Sequence, residues 1–391
     1  MVSYSEYESD SRVRRYAELL IKQGYRVDIL SIRQKGQEPE GPIEGGGRVY
    51  RIQSRTRNEK SKATYLLKLI LFFFRSMFFL TWENMKEKYD LIHVHSVPDF
   101  EVFAALFPKL FGSSVILDIH DIVPEFYASK FKVSTSSTTF KLLVAVERMS
   151  IAFSDHVIAA NHIWGKRIQE RSASNGKCTT ILNYPDKDSF QRQYNRRNDG
   201  KFILLYPGTL NYHQGLDIAI RAFSRVKDQI PEAEFHIYGQ GDQWAALTQL
   251  IEELKLGDRV FLRGFVPMQE ITPLMETADL GIVPKRKDGF GNEAFSTKIL
   301  EFMVLGVPLI VPDTTIDKLY FNEQVVQFFC SGDEESLSQA ILMLAKNPER
   351  REALASNASE FVKKYTWEAN QQSYLDIVES LVHPTGERRA H

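Results

Sequence analysis

Cysteine is almost missing from this sequence. Only 2 occur in 391 residues, Cys178 and Cys330, far apart and without a His or Cys neighbour at metal-binding spacing. That excludes a disulfide framework and a thiolate metal centre, and both read as ordinary thiols of a reducing compartment. Net charge is nearly missing too, at −1, so no broad basic field draws the chain to nucleic acid. The opening segment Tyr4 to Arg15 is polar and charged rather than apolar; no secretory signal is expected there, and the default location is the cytoplasm. Glycines pair at Gly239-Gln240-Gly241, but no third follows at the dinucleotide spacing, which disfavours a nicotinamide oxidoreductase. Repeats and low-complexity stretches are absent as well.

What is present is the composition of a soluble globular protein, 43% hydrophobic and 25% charged. A chain this long exceeds one compact core of ordinary size, so two domains are expected. Ser11 to Gln23 has helical periodicity, Gly24 stops it, and Tyr25 to Leu30 alternates into a strand. A strand should precede that helix, yet only Met1 to Tyr4 is available, so the first strand is short or truncated. Further strands are read at 90–95, 115–119 and 155–159, and in the second half at 202–206, 234–238, 259–263 and 278–284. Strand and helix alternate throughout, which argues α/β with two doubly wound, Rossmann-like parallel sheets. The expected division is an N-terminal domain over 1–186, a polar linker over 187–200 and a C-terminal domain over 201–365. A closing helix and tail occupy 366–391.

The most apolar run, Tyr65 to Trp82, is about the shortest that spans a bilayer, but Lys68 and Arg75 interrupt it. A span is therefore not expected. It reads either as a helix packed on the sheet or as an interfacial helix, with Lys60, Lys62, Lys68 and Arg75 toward lipid headgroups.

Chemistry concentrates between Gly289 and Asp313, in GFGNEAFSTKILEFMVLGVPLIVPD. Glu293 stands in a Gly-rich loop; Ser296 or Thr297 suits an N-cap; Lys298 and Glu301, three apart, share a helical face. Gly306 and Pro308 end that helix before a buried strand. A helix start, a lysine and two carboxylates suit a sugar joined to a diphosphate. Earlier, the strand 115–119 delivers His120 and Asp121 at its carboxyl end, where open α/β sheets bind ligands. His93 and His95 share a strand face; without a third ligand nearby they are not read as a metal site, and His95 is either a cleft-lining or a structural residue.

Glu293-x7-Glu301 with the Gly-Val-Pro segment resembles the signature of retaining glycosyltransferases of family 4. His120-Asp121-x-x-Pro-Glu125 resembles a stretch found in many members. The resemblance covers nearly the whole chain. It implies the GT-B architecture, two Rossmann-like domains facing across a cleft, and a nucleotide-sugar donor held by the C-terminal domain. It assigns catalytic roles to His120, Glu293 and Lys298. Binding roles go to Asp121, Gly208, Thr209, His213, Gly239, Gly241, Phe265, Val266, Phe295, Ser296 and Glu301. Glu301 would take the ribose hydroxyls, Glu293 the sugar hydroxyls, and Lys298 the departing diphosphate. It implies retention without a metal or other cofactor, and Asp186-Lys187-Asp188 falls in the linker and is read as solvated. The chain departs from the family where an arginine and a lysine usually hold the diphosphate: Thr209 and Gln214 stand there. Backbone amides, Thr209, His213 and Lys298 are the expected substitutes, with Lys285 or Arg286 as further cations.

The expected function is therefore sugar transfer to a saccharide or lipid-linked acceptor, in polysaccharide or glycolipid assembly. Peripheral contact with the inner face of a membrane through 65–82 fits that expectation. A GT-B-like sugar-nucleotide epimerase and a catalytically weakened nucleotide-sugar-binding protein are the alternatives.

Overall fold

The computed structural model describes residues 1–34, 36–54, 62–172, 176–185, 189–192 and 197–383. The Asp186-Lys187-Asp188 segment and the tail after 383 lie outside the described residues. Two compact units result, one made of Met1–Asn183 with Gln371–His391, the other of Tyr184–Asn370.

The first unit is built on eight strands. In chain order they are β1 (Val2–Ser3), β2 (Val27–Arg33), β3 (Glu40–Ile43), β4 (Gly47–Ser54), β5 (Leu91–His95), β6 (Ser114–Ile119), β7 (His156–Ala159) and β8 (Cys178–Thr180). They lie side by side as β3-β4-β2-β1-β5-β6-β7-β8. Every pairing is parallel except β3 with β4. The short β1 sits at the centre, Val2 opposite Leu30 on one side and Val94 on the other. Its start is anchored by the Met1 ammonium, which donates to the Asp28 carbonyl at 2.6 Å. The β3–β4 hairpin carries no apolar alternation in the sequence and is an addition of the structure.

Six helices accompany this sheet: α1 (Ser11–Lys22), α2 (Lys62–Lys86), α3 (Leu106–Leu110), α4 (Val123–Phe131), α5 (Thr138–Phe153) and α6 (His162–Arg171). The Asp10 carboxylate caps α1 by accepting from the Arg12 and Val13 amides, and Asn161 caps α6 in the same manner. Helix α2 packs one face on the sheet, as the first reading of the apolar run expects, and leaves another face exposed. Leu69, Phe72 and Leu80 are buried in the core, while Leu67, Leu71, Phe74, Phe78, Trp82 and Met85 form an exposed apolar face. By length and composition it could cross a bilayer. At 100° per residue, Lys68, Arg75 and Lys86 fall along one edge of the exposed face. Lys60 and the side chain of Lys62 lie outside the described residues.

The second unit has six parallel strands: β9 (Phe202–Pro207), β10 (Ala233–Tyr238), β11 (Val260–Arg263), β12 (Leu280–Ile282), β13 (Leu309–Pro312) and β14 (Gln327–Phe329). Their order is β11-β10-β9-β12-β13-β14. Strand order therefore reverses between β9 and β12, and ligands of such sheets bind beyond the carboxyl ends at that reversal. Helices α7 (Leu216–Val226), α8 (Trp244–Glu253), α9 (Met268–Glu276), α10 (Thr297–Val304), α11 (Thr315–Tyr320), α12 (Glu334–Lys346) and α13 (Pro348–Phe361) surround it. Strand β9 is buried along its whole length, and α7 buries Leu216, Ala219, Ile220 and Phe223 against the same core.

A last helix, α14 (Trp367–Val382), passes into the first unit from Gln371 onward. There the Tyr374 hydroxyl meets His93 Nδ1 at 2.9 Å, and its ring lies 4.2 Å from that of Tyr16.

Candidate functional site

In the second unit the strand reversal brings together the turn after β9 and the loop that leads to α10. Gly208 adopts φ of 141°, and a Cβ built there would lie 2.4 Å from Lys298 Cε and 3.1 Å from Nζ. The lysine thus fills the space a side chain at 208 would occupy, and its ammonium stands over the Tyr206 ring at 5.3 Å. Burial, opposed by Glu301 and reinforced by Lys285, brings the Lys298 ammonium down to about 8. Ser296 occupies the N-cap position of α10, but its side chain makes no capping bond. Its hydroxyl is buried without a partner. A helix N-terminus, an unused hydroxyl and a lysine with a weakened hold on its proton therefore converge. That combination suits an anion.

Thr209 and Gln214, standing where basic residues were expected, are neutral, and the Gln214 side chain is already engaged. The Tyr206 hydroxyl lies 2.8 Å from the Thr209 carbonyl and 3.0 Å from Gln214 Oε1. The Gln214 amide in turn meets His213 Nε2 at 3.0 Å, and the His213 ring stands edge-on to Phe290. Burial holds His213 below the usual histidine range. It faces this turn as a neutral ring. The expectation that Lys285 or Arg286 supplies the missing charge is corrected. Lys285 is buried, paired with Asp317 at 3.0 Å, and donates to the Ala294 carbonyl at 2.7 Å. Arg286 pairs with Asp217 at 2.5 Å, donates to the Tyr212 carbonyl at 3.1 Å and stacks on the Tyr212 ring. Both are spent on structure, and Lys285 does something the sequence did not disclose. It fastens the Glu293 loop at Ala294, next to the carboxylate.

Glu293 and Glu301 are half-buried on either side of the α10 start. Phe295 is edge-on to Tyr320 at 4.9 Å, so it holds the loop to α11. Gly239 and Gly241 answer first to a packing need. A Cβ at 239 would be 1.7 Å from the Gly208 carbonyl oxygen, and one at 241 would be 2.3 Å from the Leu210 carbonyl oxygen. Backbone bonds from Gly208 to Tyr238 and from Leu210 to Gln240 draw the two turns together. Phe265 is 63% exposed beyond β11, with Val266 half-buried beside it. An exposed aromatic at a strand's carboxyl end is free to meet a flat ligand.

In the first unit, β6 ends at Ile119, and His120 and Asp121 occupy the turn before α4. His120 Nδ1 is buried with no hydrogen-bond partner. Burial raises the Asp121 carboxyl, with nearby His120 opposing. Behind them Glu125 of α4 is clamped by Arg171, at 2.6 Å, which also binds Glu147 of α5. That network anchors α4, the helix that follows the His-Asp turn. Burial raises the Asp10 carboxyl, but the Ser5 hydroxyl and the two histidines His120 and His95 hold it below the usual range.

The histidine pair on β5 needs a correction. A third metal-ligand candidate does exist, Asp118 on the neighbouring strand, and the three ligand atoms lie within 4.8 Å of one another. Yet both oxygens of Asp118 are held by the Arg12 guanidinium, at 2.7 and 2.8 Å, and its Oδ2 also meets His95 Nδ1 at 3.0 Å. A cation placed there would meet that buried guanidinium, so the donor set does not fit a metal. Arg12 drives the Asp118 carboxylate well below its usual range against the penalty of burial. His95 is 1% exposed, which makes it an interior residue of this cluster.

Comparison with known proteins agrees with this geometry. Residues 9–183 match the family described as glycosyl transferase 4-like domain, and residues 187–361 match glycosyl transferases group 1. The chain is 23% identical over 391 residues to a component of human phosphatidylinositol N-acetylglucosaminyltransferase, covering 97% of this chain and 75% of that protein. Sucrose-phosphate synthase from Thermosynechococcus elongatus superposes with a TM-score of 0.79 at 18% identity, covering 98% of this chain and 99% of the other. HepE from Anabaena, solved with UDP and glucose, superposes with a TM-score of 0.69 at 16% identity over 97% of this chain and 99% of its own. With both halves matched in order and the α/β units built alike, this chain belongs to the group 1, family 4 glycosyltransferases of the GT-B fold.

Proposed function

We propose that this glycosyltransferase takes its sugar from a nucleoside diphosphate sugar bound to the second unit, transferring it with retention and without a metal. The observation that carries the reading is Lys298 lodged against the Gly208 turn at the start of α10. HepE, of the same fold, was solved with UDP and glucose, which supports a nucleoside diphosphate sugar as the donor. Lys298, the α10 amides and the Ser296 hydroxyl meet the diphosphate, with Thr209 and His213 at its edge. Glu301 takes the ribose and Glu293 the sugar hydroxyls, beside Phe295. Gly239, Gly241, Phe265 and Val266 bound the base.

In the transfer step the bond from the anomeric carbon to the diphosphate oxygen breaks. The acceptor oxygen bonds that carbon on the same face, and its proton passes to the departing oxygen. Lys298 stabilises charge that appears only as the diphosphate leaves, so it acts on the barrier rather than on binding alone. The first unit supplies His120, donating to a sugar hydroxyl, and Asp121 beside the acceptor. The apolar face of α2 docks on the inner face of a membrane and suits a lipid-linked acceptor. The relative that is named for phosphatidylinositol points the same way.

Thermal-shift screening against nucleotide sugars, followed by transfer assays with Glu293→Gln, tests the reading. A cognate donor stabilises both proteins, and the variant transfers sugar slower by orders of magnitude with its fold intact. Near-normal transfer by Glu293→Gln overturns it.

A further inference from the structure

We propose that the first unit carries a site for the phosphoryl headgroup of a membrane lipid, between the ends of β2 and β4 and helix α2. The inference rests on the membrane docking of α2 argued above and adds a binding pocket to it. A cavity of about 510 Å³ lies there, lined by Arg33, Arg51, Arg75, Gln53, Ser54 and Phe79 among others. Arg33 and Ser54 are the last residues of β2 and β4 and stand opposite each other in the sheet. The cavity runs along β4 from Tyr50 to Ser54 and reaches the last residues of both strands.

Its charges are not all neutralised. Arg51 is bound to Glu8 and to the Glu38 carbonyl, which fixes its fork in place. Glu40, the acidic residue of the lining, is 3.7 Å from Arg48. Arg75 donates at 3.2 Å to the Ile52 carbonyl and at 3.4 Å to Gln53 Oε1, which are neutral acceptors. Among the described residues no carboxylate lies within ion-pair distance of Arg33 or Arg75. Two guanidinium groups with unspent charge, beside a hydroxyl and an amide, match a phosphoryl group, whose oxygens take bidentate Arg donors.

The surroundings select a lipid as the source of that phosphate. Phe79 lines the cavity, and Arg75 stands between it and the exposed face of Phe74, Phe78 and Trp82. Lys68 and Lys86 border the same edge. A phosphate seated on Arg33 and Arg75 would hold its acyl chains beneath that apolar face, so each half of an amphiphile meets its own kind of surface.

The test uses the full chain in flotation with phosphatidylcholine vesicles, with and without phosphatidic acid. Variants are Arg33→Gln/Arg75→Gln, the charge-matched Arg26→Gln/Lys88→Gln, and Phe74→Ser/Phe78→Ser. Wild type should prefer phosphatidic acid vesicles by roughly tenfold or more, from about 1 kcal/mol per surface arginine. Arg33→Gln/Arg75→Gln should lose that preference while keeping its binding to phosphatidylcholine, and Arg26→Gln/Lys88→Gln should keep both. Equal loss in the two charge variants, or a preference that survives Arg33→Gln/Arg75→Gln, overturns the headgroup site. Binding to both vesicles without preference, lost in Phe74→Ser/Phe78→Ser, leaves α2 docking standing and the headgroup site refuted. Binding to neither vesicle refutes docking. If glycerol 1-phosphate then still stabilises wild type but not Arg33→Gln/Arg75→Gln, the lipid assignment falls and a site for a soluble phosphate replaces it.

Discussion

Gly208 and Lys298 compete for one volume: a Cβ at 208 would come within 2.4 Å of the lysine's Cε. The turn and the helix are therefore matched to each other, and each can be tested through the other. Gly208→Ala would displace the lysine and strain a backbone at φ of 141°. Donor KM should rise about tenfold, from strain on the order of 1–3 kcal/mol. Lys298→Met, which keeps the volume and removes the charge, should lower kcat by about a hundredfold. Steady-state kinetics of both variants check this, and an unchanged kcat in Lys298→Met would sink the assignment.

The same lysine predicts a pH profile. Its ammonium loses its proton at about 8 in the free protein, burial being the main cause. Below that value it is charged and attracts the donor; above it the attraction fades. Donor kcat/KM should fall as pH rises through about 8. A bound diphosphate restores the proton, so kcat should hold to higher pH. Lys298→Met should abolish this limb of the kcat/KM profile.

Lys285 should separate stability from turnover. Lys285→Met strands the buried carboxylate of Asp317 and should destabilise the protein by about 3–5 kcal/mol. Adding Asp317→Leu removes the stranded charge and should restore most of that stability. Activity should not return, because the Ala294 carbonyl, 2.7 Å from Nζ in the native protein, stays untethered beside Glu293. Urea unfolding and kcat measured on the single and double variants decide it; recovery of both together would refute a positioning role.

Glu101 should make the protein less stable as pH rises. Its carboxyl is fully buried, with the Ser76 hydroxyl as its polar neighbour. Burial, opposed by Ser76, raises it from 4.5 to about 8. Between those values the folded chain keeps a proton that the unfolded chain has lost, so stability declines across that window and levels off above it. Asp99, raised to about 7, adds to the slope. Glu101→Gln should flatten the dependence, seen as urea midpoints at about pH 5 and pH 8 that lie closer together than in wild type. An unchanged slope would mean the carboxyl is not the group responsible.

Local features were legible in the sequence. Helix α7 runs from Leu216 to Val226 as its periodicity indicates, and α10 ends at Val304 before Gly306, at φ of 70°. Contacts between distant residues were not. Lys285 and Arg286 carry charge in the sequence, and nothing there discloses that Asp317 and Asp217 consume it. Asp118 is an unremarked residue of an apolar strand until Arg12 and His95 close on it. The β3–β4 hairpin stayed hidden because its strands are polar and its turn is a run of glycines, Gly45 to Gly47. The familiar motif around Glu293 and Glu301 pointed to the right loop, while the means of holding it there lay in residues that no motif includes.

Tyr374 puts a constraint on the order of synthesis. It is fully buried, in the first unit, against Tyr16 and His93. His93 precedes Tyr374 by 281 residues, so both partners leave the ribosome well before it. In that interval the first unit must keep open the place this side chain will fill, with the ring of Tyr16 and the His93 imidazole uncovered on that side. A nascent chain arrested before Trp367 would carry both sheets and still present that gap, a feature by which quality control could tell an unfinished molecule from a finished one.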